Sequence, residues 1–121
     1  MKLRQICELL DARTLCLSDE SCLDRDFFFV SATDLMSDAL ALVESDSHHT
    51  FLVTGLVHAQ SLRTAEMLDI NVVMYIRGKA MSDDDCALAK EMSMNVFSTG
   101  LSMYDTCGLL FREGLVTATR C

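Results

Sequence analysis

Three short stretches of this sequence combine residue types that can hold a small anion. Thr54-Gly55-Leu56 sets a hydroxyl beside a glycine, Arg77-Gly78-Lys79 brackets a glycine with two cations, and Ser98-Thr99-Gly100 joins two hydroxyls to another glycine. Glycine lets a ligand approach the backbone, a hydroxyl donates or accepts, and a guanidinium grips a phosphate or carboxylate through two parallel hydrogen bonds. Each stretch alone is also an ordinary turn composition. Taken together, Thr54, Gly55, Leu56, Arg77, Gly78, Lys79, Ser98 and Thr99 form a candidate ligand-binding set. Its glycines and cations do not have the spacing of a P-loop or of a dinucleotide fingerprint.

Other reactive side chains have blander readings. The acids Asp83-Asp84-Asp85 open a helical segment, where they complement the helix dipole, and no EF-hand spacing surrounds them. His48 and His49 are adjacent in a polar stretch, so their rings are expected to diverge into solvent. His58 opens a helix and is expected to be exposed there, and Arg63 with Glu66 reads as a surface pair. Cys107 shares a helical stripe with Met103 and Leu110 and, like Cys7, is expected in the core. No C-x-x-C pair, zinc-finger spacing or nucleophile elbow occurs. The sequence therefore predicts no catalytic residue, no metal and no cofactor.

The elements that must position the candidate set are legible from periodicity. Leu3, Ile6, Cys7 and Leu10 fall at i, i+3, i+4 and i+7, which predicts a first helix. Arg13–Leu17 and Phe27–Ser31 read as short strands joined through the polar turn 18–21. A second helix is expected from about Asp34, with Thr33 as its N-cap and Leu35, Ala39, Leu42 and Val43 on one face. A polar loop follows over 44–50. Thereafter Phe51–Thr54, Val72–Ile76 and Asn95–Ser98 are apolar, β-rich runs, each followed by a helical segment: Ala59–Leu68, Asp83–Met92 and Met103–Glu113. Ser82 and Ser102 each precede an Asp by three residues, a short-armed capping box. Continuous apolar strands alternating with ten-residue helices predict a small, mostly parallel sheet with helices on both faces. In such a sheet ligands bind beyond the strand carboxyl ends, where all three stretches fall.

Composition bounds the rest. The 121 residues are half apolar and 23% charged, enough for one core and so for a single domain over 1–121. Ten basic against eighteen acidic side chains give a net charge of −8, which disfavours nucleic acid and anionic membranes as partners. Apolar runs are far shorter than the roughly 20 residues of a membrane span, and Glu8 and Asp11 interrupt any leader-like stretch near the start. A cytoplasmic protein whose six cysteines are free thiols is expected.

Several segments also resemble one family. The stretches Leu3-Arg4-Gln5-Ile6-Cys7-Glu8-Leu9-Leu10, Ala32-Thr33-Asp34-Leu35-Met36, Thr54-Gly55-Leu56, Arg63-Thr64-Ala65-Glu66-Met67-Leu68-Asp69-Ile70, Ile76-Arg77-Gly78-Lys79 and Cys107-Gly108-Leu109-Leu110 are similar, in order and spacing, to stand-alone DRTGG-domain proteins. The resemblance implies an α/β domain like the N-terminal domain of HPr kinase/phosphorylase, with a regulatory role and contacts to a second copy. The chain departs from the family at its signature. Leu56-Val57 stand where the Asp-Arg pair would be, and Ile76-Arg77-Gly78 replaces Thr-Gly-Gly, with Arg77 partly restoring the lost cation. Two functions are then expected as alternatives. One is a non-catalytic regulatory module binding a small anionic metabolite, including a nucleotide, at the strand carboxyl ends. The other is a protein–protein or homodimerisation module with a vestigial pocket. An enzyme using His58 or a cysteine has no motif behind it.

Overall fold

Alternation along the central strands builds the molecule. Phe51, Val53, Val72 and Met74 point to one face of a sheet, while Leu52, Val73 and Tyr75 point to the other, and all seven are fully buried. A strand covered on both sides has no polar positions to spare, which is why these segments read as unbroken apolar runs. The computed structural model describes residues 1–42 and 46–118, and at 41 and 42 the backbone only. Its elements run α1 (Leu3–Leu9), β1 (Arg13–Leu17), β2 (Phe29–Ala32), α2 (Met36–Leu42), β3 (Thr50–Thr54), α3 (Ala59–Met67), β4 (Val72–Tyr75), α4 (Asp83–Glu91), β5 (Asn95–Ser98), α5 (Met103–Arg112) and β6 (Val116–Thr117).

The sheet has the order β1-β5-β4-β3-β2-β6. Strands β2 to β6 are parallel to one another, and β1 pairs antiparallel to β5 at one edge. The helices divide between two cores. Leu3, Ile6 and Leu10 of the first helical segment join Leu110 of α5 against one face, while Met36, Leu62, Ala65 and Ala89 of α2, α3 and α4 cover the other. This is the expected α/β fold, a mostly parallel sheet with helices on both faces.

Local chemistry sets the helix boundaries. Ser82 and Ser102 each accept the amide of the residue three ahead, Asp85 and Asp105. His58 caps α3 by accepting the Gln60 amide on Nδ1, and its side chain is exposed as expected. Four helices stop in the same way. After α1, α3, α4 and α5 one residue turns to positive φ (Asp11, Asp69, Ser93, Gly114), and the next donates its amide five residues back, as in Ala12 to Cys7 and Ile70 to Ala65. This double-bonded stop usually takes a glycine. Here only the last helix supplies one, so the sequence pattern did not mark the others.

Several expectations need correction. The strand expected over 27–31 is β2 at Phe29–Ala32, because the Phe27 and Phe28 amides go to Met1 and His49 carbonyls instead of to the ladder. Helix α2 begins at Met36 and buries Met36 and Ala39, while Leu35 is 57% exposed. Leu35 lies in the capping turn, its amide donated to Thr33 Oγ1, and so stands off the helical face. Of the face expected there, the Leu42 side chain and Val43 lie outside the described residues. The strand β6 was not anticipated, since two residues cannot display a period. The His48 and His49 rings do not diverge but pack edge to face, centroids 5.0 Å apart. Arg63 and Glu66 are both exposed and do not pair with each other.

Cys7, Cys16, Cys22, Cys86 and Cys107 are free thiols, and Cys121 lies outside the described residues. Burial pushes the Cys7 and Cys22 thiols up to about 11 from 9.0. A pH dependence of known sign follows. Above pH 9 the unfolded chain releases these protons while the native protein keeps them, so unfolding becomes more favourable as pH rises. Stability is expected to fall between about pH 9 and pH 11, and to fall less in a Cys7→Ser, Cys22→Ser double variant. Urea titrations across that range check it.

Candidate functional site

Strands β3 and β4 end side by side, and the loops that leave them carry the candidate residues. Gly55 is the centre. Its amide donates to Asp34 Oδ1 at 2.6 Å, and its carbonyl accepts from Lys79 Nζ at 2.7 Å. The Arg77 guanidinium covers it from the third side, so that a Cβ at position 55 would meet Arg77 Nη2 at 2.6 Å and Asp34 Oδ1 at 3.3 Å. Glycine here lets the guanidinium approach this closely, and its backbone angles do not demand it. The structure thus brings Gly55, Arg77 and Lys79 together and adds Asp34, which sequence reasoning missed. Asp34 sits on the short connection from β2 to α2, 21 residues from its partner, and its only sequence signal was an acid at a strand end.

The loop hydroxyls take a different part. Thr54, Ser98 and Thr99 are all buried. Thr54 Oγ1 donates to Asp34 Oδ1 and accepts the Leu56 amide. Ser98 Oγ donates to the Lys79 carbonyl, and Thr99 Oγ1 to the Leu10 carbonyl at 2.6 Å. Each hydroxyl therefore fixes a loop and is already engaged. The Arg77 and Gly78 amides are engaged too, on the Leu101 and Thr99 carbonyls, which ties the β4 loop to the β5 loop. Leu56 is half-buried beside Gly55.

What remains open to a ligand is the cationic side. The Arg77 side chain is exposed and makes no hydrogen bond or ion pair among the described residues. Its backbone holds φ at +61°. Among the described residues the other non-glycines at positive φ, Asp11, Asp69 and Ser93, are short and polar and terminate helices. A long side chain there is the outlier, and left-handed backbone costs such a residue roughly 1–2 kcal/mol. Asp34 Oδ2 is also uncommitted among the described residues. The site can thus grip an anion with Arg77 and Lys79 and accept a ligand hydroxyl at Asp34. Among the described residues no group of acids, histidines and cysteines is arranged to hold a metal ion.

No family model matches this chain, and no curated protein does. Among solved structures it is similar to the CBS and DRTGG domains of the regulatory region of a Clostridium perfringens pyrophosphatase, complexed with an activator, diadenosine tetraphosphate. The TM-score is 0.69 at 19% identity, over 90% of this chain and 45% of the other. The likeness is one of fold. This chain spans less than half the length of that regulatory region. Among the described residues no helix is long and apolar enough to cross a membrane.

Proposed function

We propose that this chain is a regulatory module, without catalysis of its own, that binds a small anionic metabolite at the carboxyl ends of β3 and β4. The observation that carries the reading is Arg77, held in a costly backbone conformation with its guanidinium over Gly55 and no side-chain partner among the described residues. Strain kept at one exposed cation is the mark of a position selected for contact. Lys79 supplies a second charge, Gly55 and Gly78 leave room, and Asp34 accepts a hydroxyl. That combination suits a nucleotide, phosphate toward Arg77 and ribose toward Asp34. The structural neighbour, complexed with a dinucleotide activator, supports the same class of ligand. We further take residues 1–121 as one DRTGG-like domain working in the cytoplasm.

The test is a thermal-shift screen of the protein against nucleotides, acyl phosphates and sugar phosphates. A ligand at a hundred times its dissociation constant adds about 2.7 kcal/mol, several degrees for a domain this small. No shift with any phosphorylated compound would defeat the reading.

One observation favours a second role in protein contact. Phe111 and Val116 are 79% and 50% exposed, and together with Leu110, Leu115 and Cys107 they line an apolar cleft under the edge strand β6. Exposed aromatic surface beside a sheet edge suits a second copy of the chain. Light scattering over a range of concentrations checks this, and a monomer throughout rules out the homodimer.

A further inference from the structure

The opposite end of the sheet holds a second polar site, built from the loops that enter β2, β3 and β4. Arg25, Ser47, His48, Asp69 and Asn71 line a half-open cavity of about 160 Å³ there. The half-buried Arg25 lies over the ring of fully buried Phe27, 4.9 Å from its centroid. Its Nη2 donates to Asn71 Oδ1, and among the described residues its buried Nε has no partner and no carboxylate lies within ion-pair distance. Removing a guanidinium from water without a counter-ion is costly unless something else supplies the charge. Burial acts on it in that sense, holding it below the ordinary arginine range, while Asp19, beyond ion-pair distance, offsets only part of the effect.

The cavity also holds the opposite charge. Asp69 lines it from the turn that ends α3, fixed at φ +59°, with Ser47 Oγ 3.5 Å from its Oδ2. A free oxyanion such as phosphate would gain at Arg25 and be repelled at Asp69. A molecule carrying a carboxylate at one end and an ammonium at the other satisfies both. At about 160 Å³ the half-open cavity has room for a small organic molecule as well as for water.

We propose that this cavity binds a small zwitterion, a free α-amino acid of the size of glycine or alanine, with its carboxylate on Arg25 and its ammonium on Asp69. The site is separate from the one at Arg77 and stands or falls independently of it. The whole chain is titrated with glycine and L-alanine, and in parallel with acetate, methylammonium and inorganic phosphate, by calorimetry and by NMR. Alanine is expected to shift the signals of Ser47, His48, Asp69 and Asn71, and to bind at least about tenfold more tightly than acetate or methylammonium. Asp69→Asn, which keeps a residue tolerant of positive φ, is expected to weaken alanine by about tenfold or more and to leave acetate nearly unchanged. Arg25→Gln should abolish both, and where that variant does not fold, Asp69→Asn carries the test. Tighter binding of phosphate than of alanine, full affinity in Asp69→Asn, or no response at these residues at millimolar concentrations would each overturn the proposal.

Discussion

Arg77→Gly is expected to make the protein more stable and to cost it its ligand. Glycine adopts positive φ freely, so the substitution removes a backbone cost of about 1 kcal/mol, worth roughly 3–6 °C in melting temperature for a domain of this size. Nothing is lost from the fold in exchange, since the Arg77 side chain is exposed and bonds to no described residue. A bidentate, charge-assisted contact contributes about 1.5–3 kcal/mol, so the same variant should bind an anionic metabolite roughly 10- to 150-fold more weakly. Gain of stability with loss of binding is a signature that a purely structural arginine cannot give. Gly55→Ala approaches the same point from the other side. Its Cβ would stand 2.6 Å from Arg77 Nη2, the far end of a flexible side chain, so the guanidinium moves while the fold stays. Both variants need only a melting curve and a titration. Unchanged affinity in the two together would remove the site from β3 and β4.

Phe51→Ala carries the largest expected loss of stability. Phe51 is fully buried on β3, packed edge to face against Phe27 with ring centroids 5.7 Å apart, and Leu3, Ile6 and Leu10 belong to the same core. Truncating a buried phenylalanine costs about 3–5 kcal/mol, from lost transfer energy and the cavity left behind. A domain of this kind has about 5–15 kcal/mol in total. The urea midpoint should therefore fall steeply, with the slope of the transition unchanged. Phe111→Ala is the control. That ring is 79% exposed, and its removal should stay within about 0.5 kcal/mol of the parent. Equal effects in the two variants would mean that the core is not where the sheet and α1 place it.

The two predictions probe different parts of one design. The core faces of β3 and β4 are filled on both sides, so their carboxyl ends are held rigidly. Engaged hydroxyls at Thr54, Ser98 and Thr99 then fix the loops, which leaves Arg77 as an exposed cation on a stiff mount.

Much of the fold was legible in the sequence, because it is written locally. The apolar stripe of α1, the unbroken runs of β3, β4 and β5, and the serines that cap α4 and α5 each depend on residues a few positions apart. Their types and spacing alone were enough to locate them and to give a mostly parallel α/β sheet. The glycines and cations after β3 and β4 marked the end of the sheet where Arg77 and Lys79 meet. Other features depend on partners far along the chain, and only the tertiary structure decided them. It placed β1 antiparallel at the edge, brought β6 beside β2, and turned Met36 rather than Leu35 into the core. It drew Asp34 to Gly55 across 21 positions and turned the Thr99 hydroxyl inward to Leu10 across 89. A buried polar group must find a partner, and which one it finds is set by where the packed strands bring the backbone, which no local pattern records.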